Sequence, residues 1–182
     1  MRIYGNRQLR TLPGLATRPT PARVREALFN IWQGEVIGTS WLDLCTGTGA
    51  IGAEALCRGA ISVLGIEQSA RAVALIQQNW QHIAQPEQEF QVLRGDVVQR
   101  LKTLDGRQFD RIYFDPPYAS NLYQPVLEAI ASGKLLAPTG ELAVEHNPDF
   151  WAAKSLPTLE ICRRKNYGNT SVTFYQRAEG SF

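Results

Sequence analysis

From about residue 41 to residue 147, short apolar runs alternate with longer amphipathic segments. Runs of six to eight residues rich in branched and aromatic side chains are typical of buried strands. Five such runs predict strands: SWLDLC, ISVLGIEQ, FQVLRGD, FDRIYF and GELAVEHN. Helices are predicted at AIGAEALCRG, at residues 70–84, just after residue 96 and near residues 121–132. Strands that alternate with helices predict an α/β sandwich with a mainly parallel sheet.

Both ends of the chain predict hairpins. LEICRRKNYG and TSVTFYQR flank Gly168-Asn169, so they add antiparallel strands at or near the edge of the sheet, for seven strands in all. The N-terminal runs RIYGN and RQLRTL flank Gly5-Asn6 and predict a smaller hairpin. Thr20 is expected to cap a helix that has Pro21 at its first position. The apolar face of that helix is formed by Val24, Leu28, Ile31 and Trp32.

The composition is that of an ordinary globular protein, with 182 residues, 44% hydrophobic and 20% charged. The length fits one domain, and no apolar run approaches the roughly 20 residues that span a bilayer. The N-terminus, MRIYGNRQLR, lacks the apolar core of a signal peptide. Three scattered cysteines and two histidines lack metal-ligand spacing and fit a reducing compartment. We therefore expect a cytoplasmic protein with no membrane partner and no metal.

Basic residues are concentrated at the start of the chain. Residues 1–30 hold six arginines and one acid, a charge of +5, so the net charge of +2 leaves −3 for the remainder. Arginine makes bidentate contacts with phosphates and bases, so this concentration favours an RNA or DNA partner over a merely solvated surface. For a second cluster, Arg163-Arg164-Lys165, a solvated surface is the favoured interpretation.

Acids stand at the ends of four successive predicted strands. Asp43 precedes a loop, CTGTG, that lacks the Gly-Lys-Ser/Thr of a phosphate-binding loop, and an acid there suits an amine-bearing ligand. Glu67 is placed to accept hydrogen bonds from a ribose diol, and Asp96 could bond an adenine amino group. Asp115 ends the fourth strand. Each acid alone could be a helix cap or a surface charge, but four beside one glycine loop are harder to explain by capping.

Together these strand ends resemble the S-adenosylmethionine-dependent methyltransferases of the Rossmann-like class, over roughly residues 41–147. The resemblance implies a class I methyltransferase fold, with a seven-stranded, mainly parallel sheet and helices on both faces. It implies S-adenosyl-L-methionine as the cofactor and S-adenosyl-L-homocysteine as the product, without a metal. The cofactor-binding residues would be Asp43, Thr46, Gly47, Thr48, Gly49, Glu67, Gln68, Asp96 and Val97.

Asp115-Pro116-Pro117-Tyr118 matches the catalytic motif of enzymes that methylate exocyclic amino groups. Such an amine is a weak nucleophile because its lone pair is delocalised into the base. The Asp115 carboxylate and the Pro116 carbonyl are expected to accept its two N–H groups, in a turn that the prolines stiffen. Tyr118 is expected to stack on the flipped base, and transfer would be an in-line displacement driven by positioning. A rigid turn without a chemical role is the alternative.

The flanking sequences resemble one family in particular. Three segments are similar to those of the RsmD family: Arg18-Pro19-Thr20, RVREALFN at residues 23–30, and the ending KNYGNT with VTFY. These are bacterial methyltransferases that act on guanine N2 in small-subunit (16S) ribosomal RNA. With these flanks the resemblance covers nearly the whole chain. Cys45 and Thr46 stand where Phe and Ala are common in the family, and Glu145-His146 resembles part of its fifth-strand motif without an assigned role.

The resemblance also implies a division of labour along the chain. Residues 1–30 would form a basic arm, and residues 31–182 would form the methyltransferase domain. The arm and its segment 18–25 would contact rRNA and close over the cofactor. The candidate RNA contacts are Arg2, Arg7, Arg10, Arg18, Thr20 and Arg23. The expected partner is rRNA, within a 30S subunit or an assembly intermediate, and the chain is expected to be a monomer. An adenine-N6 methyltransferase acting on RNA or DNA and an inactive rRNA-binding protein are the alternatives.

Overall fold

The computed structural model describes residues 1–11 and 22–180. The first elements are β1 (Arg2–Ile3), a 3-10 turn (Tyr4–Asn6), β2 (Arg7–Gln8), α1 (Ala22–Ile31), β3 (Ser40–Leu44) and α2 (Ala50–Cys57). They are followed by β4 (Ser62–Glu67), α3 (Ala70–Ile83), β5 (Glu89–Arg94), α4 (Val97–Lys102) and β6 (Phe109–Phe114). The last are α5 (Tyr123–Ser132), β7 (Leu136–His146), β8 (Leu159–Tyr167) and β9 (Thr170–Arg177).

Seven of the described strands form one sheet in the order β5-β4-β3-β6-β7-β9-β8, and β1 pairs with β2 separately. The pairs β3–β4, β4–β5 and β6–β7 are parallel, whereas β7–β9 and β8–β9 are antiparallel. The expected mainly parallel sheet, with a C-terminal antiparallel hairpin, is therefore confirmed. The N-terminal hairpin also forms, but its strands are only two residues long because the chain turns at once through Gly5 and Asn6.

The start of β7 differs most from its predicted strand boundary, whereas the other boundaries of the large sheet agree to within two residues. The sequence places the start of the fifth strand of the parallel series at Gly140, but β7 begins at Leu136. The intervening Pro138-Thr139-Gly140 has the composition of a turn. In the structure it forms an irregularity in the β6–β7 pairing, whose register shifts between Phe109 and Arg111. A turn signal inside a strand can thus mark a bulge rather than a strand end.

Contacts group the chain into two compact units, Met1–Gly95 and Asp96–Phe182. In the first unit, α1 packs its apolar face on β3. Trp41 of β3 stacks on Phe29 with ring centroids 5.3 Å apart and meets Trp32 edge-on at the same distance. Val24 and Leu28 are also buried, as the helical pattern predicts. The predicted division between a basic arm (1–30) and a methyltransferase domain (31–182) falls inside α1. That the arm contacts RNA stays a prediction.

In the second unit, an aromatic cluster packs α5 against β6 and β7. Tyr123 of α5 stacks on Trp151 at 4.4 Å and meets Phe114 edge-on at 5.8 Å. His146 of β7 lies edge-on to Trp151 at 5.0 Å. This packing secures the ends of β6 and β7, from which Asp115 and Asn147 lead into loops. None of the helices in the described part of the chain is long and apolar enough to cross a bilayer.

A buried ion pair anchors the N-terminal hairpin in the first unit. Arg25 of α1 donates through Nε to Glu54 Oε2 at 2.7 Å, with side-chain exposures of 4% and 3%. Its Nη2 donates to the Arg2 carbonyl at 3.0 Å. The other oxygen of Glu54 accepts Arg58, whose guanidinium lies 4.1 Å above the Tyr4 ring. The prediction that residues 18–25 face RNA is therefore wrong for Arg25, whose charge is used inside the fold.

We expect Arg25→Ala to destabilise the first unit by about 3 kcal/mol, because breaking a buried ion pair leaves Glu54 poorly compensated. It should also release the hairpin, since the Arg2 carbonyl loses its donor. Denaturant unfolding and amide exchange at residues 1–9 measure both effects. Arg23→Ala, on the exposed side of the same helix, is the matched control. Equal stability and equal exchange in the two variants would contradict this role for Arg25.

Candidate active site

In the first unit, the loop that follows β3 has an unusual backbone. Cys45 adopts φ 59°, a left-handed conformation that residues other than glycine rarely take, and Gly47 and Gly49 have φ 58° and 77°. Thr46 is buried, and its hydroxyl lies 2.8 Å from the Asp43 carbonyl and 3.1 Å from the Ile66 carbonyl. Such turns tend to be held by their surroundings and to occur at ligand sites.

Glu67, at the end of β4, holds this loop with both of its carboxylate oxygens. Oε2 accepts the Gly47 N–H at 2.9 Å and Oε1 accepts the Ser69 N–H at 2.8 Å. The predicted ribose acid thus already lies against the predicted cofactor loop. Each carboxylate oxygen has a second lone pair, so Glu67 can accept further hydrogen bonds from a diol. Thr48 is half-buried in the same loop and Gln68 is exposed beside Glu67.

Trp80 of α3 contacts the loop after β3 through a hydrogen bond. Its indole N–H donates to the Gly49 carbonyl at 2.8 Å, and the ring is fully buried. A Cβ at Gly52 would lie 2.3 Å from the indole, and one at Gly65 would lie 2.7 Å from it. The absence of a Cβ at Gly52 and at Gly65 therefore leaves room for the Trp80 ring.

Asp43 is almost completely enclosed at the end of β3, with 2% exposure. Its Oδ2 accepts the Gly52 N–H at 3.2 Å, near the first turn of α2. Burial raises the pKa of the Asp43 carboxyl well above its usual range, and the nearby Glu67 charge raises it further. Asp43 therefore helps to hold the start of α2, and its contact with a ligand amine stays a prediction.

In the second unit, Asp96 and Val97 start α4. Asp96 is the N-cap, where its Oδ1 accepts the Gln99 N–H at 2.9 Å, and its side chain is exposed. Val97 is buried. One oxygen of Asp96 is therefore used to cap the helix, which is the role that the sequence offered as an alternative to ligand binding. Its contact with adenine stays a prediction.

The motif DPPY begins where β6 ends, at Phe114. Asp115 is half-buried, Pro116 is buried, Pro117 is exposed and Tyr118 is half-buried. The Ser120 N–H donates to the Pro117 carbonyl at 2.9 Å and closes the turn. The rigid turn of the alternative interpretation is thus present. It places Asp115 and Tyr118 directly after a buried strand.

Glu145 of β7 holds the hydroxyl end of Tyr118. Its Oε1 accepts the Tyr118 O–H at 2.8 Å and its Oε2 accepts the Tyr113 O–H. The Tyr118 oxygen also lies 2.9 Å from the hydroxyl of Thr170 on β9. Burial raises the pKa of the Tyr118 phenol, with Glu145 adding to the shift. The sequence pattern includes Glu145 without a role for it, and it includes Thr170 only as the last residue of the KNYGNT ending that resembles the RsmD family.

The predicted RNA-contacting arginines that the structure describes are exposed. Arg2 donates to Asn6 at 2.7 Å, Arg7 donates to the Ile83 carbonyl at 3.3 Å, and Arg23 lies on α1. Arg10 is held through its backbone, since its N–H donates to Asn79 at 3.0 Å and its carbonyl accepts from Asn79 at 3.1 Å. Arg18 and Thr20 lie outside the described residues. The RNA contacts of all six residues stay predictions.

The fold agrees with that of a methyltransferase of known structure. A solved structure titled "Putative methyltransferase yhhF from Escherichia coli" superposes with a TM-score of 0.83 at 27% sequence identity, covering 97% of each chain. Together with the strand order and the glycine loop after β3, this similarity defines a Rossmann-like class I methyltransferase fold.

Family comparison places the chain more closely. Residues 1–176 match the family described as Conserved hypothetical protein 95. The Bacillus subtilis protein named "Putative rRNA methyltransferase YlbH" is 29% identical, covering 94% of each chain. The Escherichia coli K12 protein named Ribosomal RNA small subunit methyltransferase D is 31% identical, covering 91% of this chain and 81% of that one. The chain belongs to this family, the RsmD family, and the resemblance noted from its flanking sequences is confirmed.

We expect Gly52→Ala to destabilise the first unit by about 1–3 kcal/mol, because the new methyl group overlaps the Trp80 ring. In an open helix the same substitution would stabilise by about 1 kcal/mol, so the sign of the change is diagnostic. Thermal unfolding measures it. The cost of Gly52→Ala should fall when Trp80→Phe removes the benzo ring. A stabilised Gly52→Ala variant would contradict the support of the loop by Trp80.

We expect Asp43→Asn to be more stable than the wild type at neutral pH. The pKa of Asp43 in the folded state lies above its ordinary value of 3.8, so the folded state binds more protons than the unfolded state does. The folded state therefore loses stability as pH rises from 3.8 towards the folded pKa. Asparagine removes this loss and can still accept the Gly52 N–H. Unfolding at a series of pH values should show a difference that grows from acid to neutral pH. A variant that is less stable by the same amount at every pH would refute this view.

Proposed function

We propose that this protein transfers a methyl group from S-adenosyl-L-methionine to the exocyclic N2 of a guanine in 16S ribosomal RNA. The observation that carries the proposal is the family match over residues 1–176, in which the DPPY motif follows β6 directly. Relatives named as small-subunit rRNA methyltransferases support the RNA class. The choice of guanine N2 over another amino group rests on the resemblance to the RsmD family.

The residues of the first unit fit the cofactor. A sulfonium cofactor supplies an activated methyl group, so no metal or covalent enzyme intermediate is needed. Residues 46–49 offer backbone groups in a tight loop, and Glu67 can accept ribose hydroxyls on the lone pairs that Gly47 and Ser69 leave free. Asp43 is assigned to the amino group of the methionine end, and Gln68 lies next to the ribose acid. In the second unit, Asp96 and Val97 are assigned to the adenine.

Asp115 and Pro116 are assigned to the target amine. The carboxylate and the Pro116 carbonyl each accept one N–H, which holds the nitrogen in place and favours a more tetrahedral geometry. The lone pair is then freed from the base and directed at the methyl carbon. The N–C bond forms as the S–C bond breaks, and the Asp115 carboxylate receives the proton that the amine gives up. Pro117 stiffens the turn, and Tyr118 stacks on the flipped base.

The basic arm is assigned to the RNA backbone. Exposed arginines provide phosphate contacts that position the substrate without reading its sequence. Arg2, Arg7, Arg10 and Arg23 fit this role, because their side chains are exposed on the described surface. Arg18 and Thr20 are assigned to it from the family resemblance. We expect the substrate to be rRNA in a 30S subunit or an assembly intermediate, and the enzyme to act as a cytoplasmic monomer.

Incubation with labelled S-adenosyl-L-methionine and 30S particles or 16S rRNA, followed by nucleoside digestion, tests the proposal. We expect labelled N2-methylguanosine. Asp115→Ala should lower transfer on the order of 10²- to 10⁴-fold while RNA binding persists, because the amine loses an acceptor but the arm is intact. Asp149→Ala, at an exposed acid of the same unit, is the control.

Three outcomes would count against the assignment. Labelled N6-methyladenosine would make the protein an adenine methyltransferase. RNA binding without any transfer would make it a binding protein on a methyltransferase scaffold. Full activity of Asp115→Ala would remove Asp115 from the reaction.

A further inference from the structure

The geometry points to Glu145 and Thr170 as positioning residues that fix the ring of Tyr118 through its hydroxyl group. The inference rests on the proposed function and deepens it, because it names what holds the platform on which the target base would stack. The inference also gives a role to Glu145, which belongs to the fifth-strand motif of the family resemblance but has no assigned role there. All three residues belong to the second unit.

The backbone of Tyr118 is set in an exposed turn. Pro117 and Ala119 on either side are exposed, and the turn is closed by the hydrogen bond from Ser120 to the Pro117 carbonyl. Such a turn constrains where the side chain starts but leaves its two torsions to its surroundings. The far end of the ring therefore decides whether the side chain has one orientation or several.

At that far end the phenol oxygen has two partners. It lies 2.8 Å from Glu145 Oε1 and 2.9 Å from Thr170 Oγ1. A phenol has one proton, and a carboxylate can only accept, so Tyr118 donates to Glu145. Thr170 must then donate its own proton to the Tyr118 oxygen. The two hydrogen bonds run in one direction, from Thr170 to Tyr118 and from Tyr118 to Glu145, and each hydroxyl donates its single proton once.

The two anchoring residues stand on rigid elements. Glu145 on β7 pairs with Val172 on β9, and Thr170 is the first residue of β9, two positions earlier along the strand. Their exposures are 1% and 3%, so both groups are shielded from competing water. Positions on packed strands are more precise than positions on loops. The antiparallel β7–β9 pair therefore determines where the Tyr118 hydroxyl lies.

Anchoring the ring in advance would favour base stacking. A base that meets a ring already held in one χ1 rotamer does not have to immobilise that torsion on binding, so more of the stacking energy is realised. Because burial raises the pKa of Tyr118, the phenol keeps its proton over the ordinary working range of pH and keeps donating to Glu145. Loss of the anchor should act on kcat, where positioning of the amine matters, more than on cofactor affinity.

Glu145 has a second donor, and this supplies the matched control. Tyr113 is buried and donates to the other carboxylate oxygen, but it lies inside β6 and precedes the motif. If Glu145 served the core alone, removal of either phenol hydroxyl would have the same effect on transfer. If Glu145 serves Tyr118, the two removals should differ in kcat.

The test is a double-mutant cycle on the full chain with 30S particles, combining Tyr118→Phe and Glu145→Gln. We expect each single variant to lose about tenfold in kcat, with unchanged affinity for S-adenosyl-L-homocysteine. The double variant should lose no more than Tyr118→Phe alone, because Glu145 acts through the hydroxyl that is already gone.

Thr170→Val should also lower kcat, and Thr170→Ser should restore it by retaining the hydroxyl. Tyr113→Phe should lower the unfolding midpoint while kcat stays within about twofold.

A readout that needs no activity accompanies the cycle. In NMR spectra of protein with labelled tyrosine, we expect a single χ1 rotamer for Tyr118 in the wild type and averaging between rotamers in Glu145→Gln, because only a change of χ1 moves the hydroxyl away from its partners. Equal rotamer populations in the two proteins, or losses in kcat that multiply in the double variant, would overturn the inference. If Glu145→Gln does not fold, the cycle of Tyr118→Phe with Thr170→Val decides in its place. A wild type that transfers no methyl group would refute the proposed function, and the ring measurement would still decide the anchoring.

Discussion

The carboxylate of Glu67 is the constraint on which the candidate cofactor site depends. Its two oxygens bind the backbone at Gly47 and at Ser69, so one side chain connects the loop after β3 with the start of α3. The loop needs such a tie because Cys45 leaves the strand in a left-handed conformation that is unfavourable without support. Trp80 supplies the opposing surface, and Gly52 and Gly65 provide room for it. Contacts within the protein thus hold the loop geometry.

The second unit uses the same physical device. Glu145 also uses both carboxylate oxygens, here on the hydroxyls of Tyr113 and Tyr118, and so joins the inside of β6 to the loop that follows it. In each unit a strand-borne carboxylate fixes a loop at the end of a neighbouring strand. Glu145 is also buried, and a buried carboxylate is costly unless its oxygens are satisfied, so this group makes one arrangement strongly preferred over others. Preorganisation of this kind suits a reaction that depends mainly on positioning.

Much of the fold was predictable because its signals are local. β6 and β9 have the bounds that their apolar runs indicate, and the hairpin at Gly168 follows from a glycine between two such runs. The early start of β7 was missed because Pro138 and Gly140 indicate a turn, while the pairing with β6 absorbs them as an irregularity. Local patterns cannot reveal that kind of tertiary accommodation.

The candidate site was predictable in its residue types but less so in its contacts. The motifs named Glu67 and the DPPY segment, whereas the Trp80 contact joins residues 31 apart and the Thr170–Tyr118 contact joins residues 52 apart. Arg25 shows the reverse case, because a charge that the composition assigns to the surface is buried against Glu54. Charge counts locate a basic segment, but pairing decides which of its members face solvent.

Nucleoside analysis of 16S rRNA from cells that lack this protein tests the central claim most directly. The account predicts that N2-methylguanosine falls by one residue per 16S rRNA, and that the gene for the wild-type protein restores it while one encoding Asp115→Ala does not. An unchanged N2-methylguanosine content, or the loss of a different methylated nucleoside, would contradict the account.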